Sequence, residues 1–307
     1  MRLKIIPVFA KGFMAMSNAL FDAVLREKDP MYDCAIITPE NGIEYWKYEC
    51  CNNANNSHSV TKFFVATTIG ILRDRGMIDI NAPVTSFFDE SAFPDDFDEK
   101  WNKVTVYDAM RHKTGMDIIP YGVDDDNCTP KIGDDFLKYI FSLKLAYERD
   151  EYRRYSDAAY YLLMRIIGSV TGAPADEFMR ENIFNPLEFR QWSMAKCPMG
   201  HPIGGGGFFA RSDDVAKLGF AYANDGIYNG KRIVSKEWTD MAMANDFACT
   251  SHRGTDVYVK TGAMGQIVAF TKERKAACAW HGCSPKDGNA RNDRLLDAFL
   301  EFLDARR

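Results

Sequence analysis

The stretch that most constrains this chain is NNSHSVTKFFVATTIGILRDRG, residues 55–76. It predicts a helix over Ser59–Arg75 that begins near Ser59 and stops at Gly76. The helix is apolar on nearly every side, so it belongs in the middle of the molecule and not on its surface. Other layers must then wrap around it. Residues three apart on a helix share a face, which sets the Lys62 amine one turn above the Ser59 hydroxyl. A serine at a helix start also feels the positive end of the helix dipole. Both effects favour a hydroxyl that gives up its proton, as a nucleophile must. A serine there is equally suited to plain N-capping, so the tetrapeptide needs support from the rest of the chain.

The composition excludes several classes. The chain has 307 residues, 46% hydrophobic and 26% charged, as expected for a globular protein of one large domain or two modest ones. Its net charge of −5 carries no nucleic-acid footprint. The apolar run Ile5–Ala10 ends at Lys11, too short for a secretory core, and no stretch approaches a membrane span. Eight cysteines (Cys34, Cys50, Cys51, Cys128, Cys197, Cys249, Cys278, Cys283) show no C-x-x-C or metal spacing, so neither a metal nor a cofactor is expected. Reduced thiols in the cytoplasm are the expectation.

In chain order, Ala15–Glu27 reads as a helix with Leu20, Phe21, Val24 and Leu25 on one side. Asp33–Thr38 and Ile43–Glu49 read as strands joined by a Pro39–Gly42 turn. The middle of the chain reads as helical. Short helices are expected at Val104–Met110 and Asp134–Leu145, with acidic loops at 89–98 and 122–126. Ser156 or Asp157 caps an apolar helix ending near Gly172, and Ala175–Phe184 is a further helix stopped by Pro186. Gly204–Gly207 precedes a helix from Ser212 to about Asn224. With no strand before it and no G-K-[ST] after it, the glycine run is read as a tight turn where backbone passes close to something. Ser235 caps one more helix. Asp256–Lys260, Gln266–Thr271 and Ala276–His281 read as strands, and Asp293–Ala305 as an amphipathic helix. The simplest assembly is an α+β fold. One antiparallel sheet of about five strands, built from residues 1–52 and 250–307 and covered by the terminal helices, carries an inserted helical domain over 53–249. A cleft is expected at their boundary.

Three motifs lie on that plan: Ser59-Val-Thr-Lys62, Tyr155-Ser-Asp157 and Lys260-Thr-Gly262. Two decoys compete. Lys113-Thr114-Gly115 lacks an alternating strand around it, whereas Val257 and Val259 alternate with Tyr258 and Lys260. Tyr222-Ala-Asn224 matches Y-x-N more literally, yet falls in the last turn of a helix just before Asp225-Gly226. Structural context favours Tyr155 and Lys260. The ordered set S-x-x-K, Y-x-[ND], K-T-G resembles the serine β-lactamase and penicillin-binding-protein superfamily. The resemblance is closer to its class C β-lactamase-like branch, which includes esterases and D-amino-acid peptidases, and covers about residues 15–305.

The resemblance implies a β-lactamase/transpeptidase-like fold and an acyl-enzyme at Ser59. Burial and a second nearby cation, Lys260, lower a lysine's pKa, so Lys62 qualifies as a base. Two lysines likewise favour a tyrosine phenolate, so Tyr155 qualifies too; the sequence leaves the choice open. The resemblance also implies an oxyanion hole from the Ser59 and Ala263 N–H groups, and Thr261 as a contact for a substrate carboxylate. Gly262 removes a side chain where substrate lies close. Asp157 stands where the family usually has Asn. Ionised, it accepts hydrogen bonds only, which weakens recognition of an acylamino group and counts against a true β-lactamase. The five histidines are read as secondary, and no G-x-S-x-G elbow supports a Ser–His–Asp triad. The expected partner is a small ester, amide or peptide-like substrate; the oligomeric state stays open. The competing reading is a non-catalytic or slowly deacylating penicillin-binding-like protein that uses the cleft as a sensor.

Overall fold

The computed structural model describes residues 3–5, 18–28, 31–48, 53–117, 132–283 and 288–305. Cys50, Cys51, Cys128, the 122–126 acidic loop and the expected helix start at Ala15 lie outside them. The chain runs β1 (Leu3–Ile5), α1 (Ala19–Arg26), β2 (Met31–Thr38), β3 (Gly42–Lys47) and β4 (Asn55–Asn56). A 3₁₀ turn, His58–Val60, leads into α2 (Thr61–Asp74). Then come α3 (Val106–Met110), α4 (Phe136–Ser142), α5 (Asp157–Thr171) and α6 (Ala175–Met179), the last continuing as a π turn over Arg180–Phe184. After β5 (Trp192–Met194), β6 (Phe208–Ala210), α7 (Ser212–Ala223), β7 (Ile227–Tyr228), β8 (Lys231–Arg232) and α8 (Lys236–Ala244), the chain returns to the sheet. It does so through β9 (Thr250–Ser251), β10 (Val257–Gly262), β11 (Gln266–Thr271) and β12 (Ala276–Gly282), and closes with α9 (Gly288–Asp304).

The main sheet has seven strands in the order β1-β3-β2-β12-β11-β10-β9. The five expected strands are its centre, joined as antiparallel neighbours. The two additions are short edges: β1 runs parallel to β3, and β9 pairs with Tyr258 and Val259. Because β9 stops before Lys260, it leaves the Lys260–Gly262 end of β10 uncovered on that side among the described residues.

Period-2 alternation gives the sheet two apolar faces. Cys34, Ile36, Cys278 and Trp280 face one way and pack with Leu20, Val24, Leu295 and Phe299 of α1 and α9. Ala35, Ile37, Ala277 and Ala279 face the other way and join a core that runs through α2, α5 and α7. Strands β11 and β12 are buried on both faces, so they read as apolar runs and not as alternating ones.

Helix α2 lies inside this second core, buried from Thr61 to Leu72. Its two mid-helix hydroxyls are satisfied internally: Thr67 donates to Phe63 O at 2.8 Å and Thr68 to Phe64 O at 2.9 Å. The expected single helix start resolves into the 3₁₀ turn followed by the α-helix, so Ser59 sits in the tighter coil before it. Among the described residues no helix is long and apolar enough to cross a membrane.

Gly70 marks the closest packing of this helix. A Cβ there would stand 2.4 Å from the Trp238 indole of α8. In an open helix, Gly→Ala stabilises by about 1 kcal/mol. Here overpacking reverses the sign, and Gly70→Ala is expected to destabilise by about 1–3 kcal/mol. Urea unfolding followed by far-UV circular dichroism measures it, and a stabilised variant would contradict this account.

Candidate active site

The residues singled out from sequence converge on the Ser59 turn. Lys62 is fully buried, and its amine donates to three acceptors from three parts of the chain. These are Ser59 Oγ at 3.2 Å, Asp157 Oδ1 at 2.5 Å and the Gly205 carbonyl. An ammonium has three N–H donors, so these acceptors and the neighbouring Tyr155 phenol share them. The same amine lies 4.7 Å from the Tyr155 ring centroid, and the Lys260 amine lies 5.2 Å from it.

Each element delivers its side chain for a local reason. Ser156 caps α5 by accepting from the Ala158 N–H at 3.1 Å, and Gly172 closes the helix in the left-handed region at φ 65°. Tyr155 therefore stands just before the extended cap residue Ser156, and Asp157 is the first helical residue. Strand β10 brings Lys260, Thr261 and Gly262 past the turn in register with Val268, Ile267 and Gln266. Thr261 and Ala263 are exposed. A Cβ on Gly262 would meet Ser57 O at 2.7 Å and Ser59 N at 3.1 Å, so only glycine lets this strand press against the Ser59 amide.

The electrostatics follow from the two amines. Burial alone would push the Tyr155 phenol up. The charges of Lys260 and Lys62, with hydrogen bonds from Lys62 and Ser59, more than offset it and hold the phenol below the ordinary tyrosine value. Lys260 is itself lowered, chiefly by burial, with the Lys62 charge adding and the Tyr155 phenol opposing.

Several contributors escaped the sequence reading. His112 is buried, its ring 4.4 Å from that of Tyr155 and 5.1 Å from that of Tyr160. Burial holds its pKa well below the usual histidine value, and the Lys62, Lys260 and Arg153 charges add to the effect, so the ring is neutral at neutral pH. Its Nδ1 accepts the Ser156 N–H at 3.2 Å, which places its proton on Nε2. His112 directly precedes the decoy Lys113-Thr114-Gly115. That segment is a brace: its backbone bonds to 147–154, including Arg154 N–H to His112 O at 2.9 Å, and Lys113 pairs with Asp150 at 2.7 Å. The other decoy, Tyr222, is fully buried, with its hydroxyl 3.0 Å from that of Thr67. The glycine run is indeed a close backbone passage. A Cβ on Gly205 would stand 2.5 Å from Asp157 Cβ, and this approach carries the Gly205 carbonyl to Lys62. A carbonyl ligand leaves no mark in a sequence beyond the glycine that permits it.

The turn is also strained. His58 has φ 46°, a left-handed conformation that costs a residue with a Cβ about 1–2 kcal/mol. Beside it, a cavity of about 290 Å³ is lined by Asn56, His58, Phe209, Met264 and Cys283 among others. A larger cavity of about 1110 Å³, lined by residues such as Phe87, Arg165, Ser169 and His201, shares none of its lining with the Ser59 cluster.

The Tyr155 environment is directly testable by ultraviolet titration of phenolate absorbance. One tyrosine is expected to ionise below the ordinary range in the native protein. Tyr155→Phe should abolish that transition and Lys260→Ala should move it upward, because the Lys260 charge lowers it. An unchanged titration in both variants would rule the arrangement out.

Comparison with known proteins gives the family and the fold. A family model described as Beta-lactamase matches residues 56–281, well over half of the chain. A curated relative, N-acetylmuramyl-L-alanine amidase of Bacillus subtilis (strain 168), is 25% identical over 140 residues, which is 43% of this chain and 31% of that protein. The match thus spans less than a third of the relative's length. Among solved structures, a penicillin-binding protein homolog from Caulobacter crescentus superposes with a TM-score of 0.71 at 15% identity, covering 92% of this chain and 96% of that one. A family VIII carboxylesterase also gives a TM-score of 0.71, at 16% identity, with the same coverage of 92% and 96%. At such identities the structural likeness speaks for the fold, and the family match supplies the rest: the chain belongs to the β-lactamase family.

Proposed function

We propose that this protein is a serine hydrolase that forms an acyl-enzyme at Ser59 and acts on a small ester or amide. The observation that supports this most is the Lys62 amine 3.2 Å from Ser59 Oγ, beside a tyrosine phenol flanked by two lysines. The carboxylesterase and amidase relatives are compatible with that substrate class.

In this reading Lys62 is already a donor to Ser59, Asp157 and Gly205, so Tyr155 is the base. The Tyr155 phenolate takes the Ser59 proton as Oγ attacks the substrate carbonyl. The new oxyanion rests on the N–H groups of Ser59 and Ala263. Tyr155 then returns the proton to the leaving alcohol or amine, the carbon–leaving-group bond breaks, and the acyl group stays on Ser59. Water repeats the sequence: Tyr155 removes its proton, the hydroxide attacks the acyl carbon, and the proton goes back to Ser59 Oγ as the acid departs. Thr261 contacts a carboxylate on substrates that carry one. The cavity of about 290 Å³ beside His58 suits a small substituent. We place the cleft where the helical segment 53–249 meets the sheet. The free thiols among the described residues, four of them buried, fit a reducing compartment.

Asp157 sets the preference in this proposal. Its carboxylate is held by Lys62 and has no N–H to offer an acylamino carbonyl. Asp157→Asn is expected to raise nitrocefin or peptide acylation about tenfold, the worth of one good hydrogen bond of ~1.4 kcal/mol. No gain in a folded variant would remove this explanation of substrate choice.

The acyl-enzyme is tested with a fluorophosphonate probe. Labelling of the wild type that disappears in Ser59→Ala is the expected result, followed by turnover of p-nitrophenyl esters. A folded protein that never labels would favour the alternative of a binding module, and a burst without steady-state turnover would favour a slowly deacylating penicillin-binding protein.

A further inference from the structure

Behind the Ser59 turn lies an alcohol–imidazole–carboxyl chain that the proposed chemistry does not use. Ser57 Oγ is 3.0 Å from His281 Nε2, and His281 Nδ1 is 2.7 Å from Asp33 Oδ1. The second Asp33 oxygen accepts the Ser212 N–H at 2.9 Å and the Tyr45 hydroxyl at 3.3 Å. Tyr45 can donate because burial and then the Asp33 charge push its phenol up. The order of groups is that of a hydrolytic triad, but the exposures exclude that role. Ser57 and Asp33 are fully buried and His281 is 2% exposed, so no substrate reaches the hydroxyl.

We propose that Asp33, His281 and Ser57 are positioning residues that hold the nucleophile's turn in its strained shape. The proposal rests on the reading of Ser59 as the nucleophile. His58 takes its left-handed conformation between Ser57 and Ser59, and such a residue persists only where its surroundings over-determine it. The surroundings here are specific. Ser57 N–H donates to Phe208 O at 2.7 Å, His58 N–H to Asn56 Oδ1 at 2.9 Å, and Val60 N–H to Ser57 O at 3.0 Å. Gly262 closes on the same Ser57 carbonyl. Within this set, the His281 bond is the one that fixes the Ser57 side chain, and it ties the turn to the middle of the sheet. Asp33 stands on β2, His281 on β12, Tyr45 on β3 and Ser212 at the start of α7. The neighbouring carbonyl and the Ser59 amide are thereby set against β10, where the oxyanion would form.

A buried polar chain of this kind is not needed for stability, since apolar groups of the same shape serve a core at least as well. What it supplies is a single orientation, provided every member is satisfied. The Asp33 carboxylate takes the Nδ1–H of His281, which fixes the ring so that Nε2 bonds the Ser57 hydroxyl.

The test separates positioning from folding and from the nucleophile assignment. Single-turnover acylation by a p-nitrophenyl ester is measured for wild type, Ser57→Ala, Ser57→Cys and Asp33→Asn, with the fold checked by circular dichroism. Ser57→Ala is expected to slow acylation about tenfold with KM within about twofold, because a displaced reacting group costs rate before it costs binding. Ser57→Cys, a weak donor of similar size, should recover part of the rate, and it carries the test if Ser57→Ala does not fold. Asp33→Asn should also slow acylation, abolish the downfield His281 Nδ1–H proton resonance, and add little further loss on top of Ser57→Ala, as members of one chain do. Wild-type acylation by folded Ser57→Ala, with labelling still lost in Ser59→Ala, overturns the positioning role and spares the nucleophile. Labelling that survives Ser59→Ala overturns both, because the chain would then have no nucleophile to position.

Discussion

A buried ammonium organises this molecule. Lys62 has no solvent exposure, and a charge in that position persists only when its donors find acceptors. Those acceptors come from the Ser59 turn, the first residue of α5 and the glycine run before β6, 95 and 143 residues away along the chain in the two distant cases. Removing one partner of a buried pair costs about 3–5 kcal/mol, because the remaining charge is stranded. Satisfying this one amine therefore pins three segments together, and the Ser59 hydroxyl, the Tyr155 phenol and the Asp157 carboxylate arrive as a consequence.

Close backbone passages make the convergence possible. Gly205 lies against Asp157, Gly262 lies against Ser57 and the Ser59 amide, and Gly70 lies against Trp238, each where a Cβ would collide. The neutral His112 ring beneath Tyr155 serves the same end electrostatically. A protonated imidazole there would add another cation to Lys62, Lys260 and Arg153, and burial prevents it. The site thus combines a strained turn, a buried cation and a phenol held below its ordinary pKa. The rest of the β-lactamase-family scaffold is the rigid frame that keeps those costs from relaxing.

Much of this plan was legible in the chain. Helix α5 was bounded by a serine cap and a terminal glycine, and strand β11 by its apolar run, because those signals are local. The short edge strands β1 and β9 carry too few residues for a period to show, and the π turn at Arg180–Phe184 has no sequence signature separate from a helix. Around Ser59 the side chains of the three motifs were readable because each motif is contiguous. His112 and the Gly205 carbonyl were not, since a lone histidine outside any motif carries no local signal and the other contributes only backbone.

The sequence by itself determined that a fully apolar helix must be buried, that a hydroxyl and an amine share its first turn, and that a phenol and a second amine lie on a capped helix start and an alternating strand. Periodicity and capping act over a few residues, so they can be read in one dimension. Only the tertiary structure decided how Lys62 divides its three bonds, which glycine faces Asp157, and that Asp33, Ser57 and His281 meet behind the turn. Those contacts join residues as far as 248 positions apart, and their geometry is set by how the sheet and helices pack and not by any local preference.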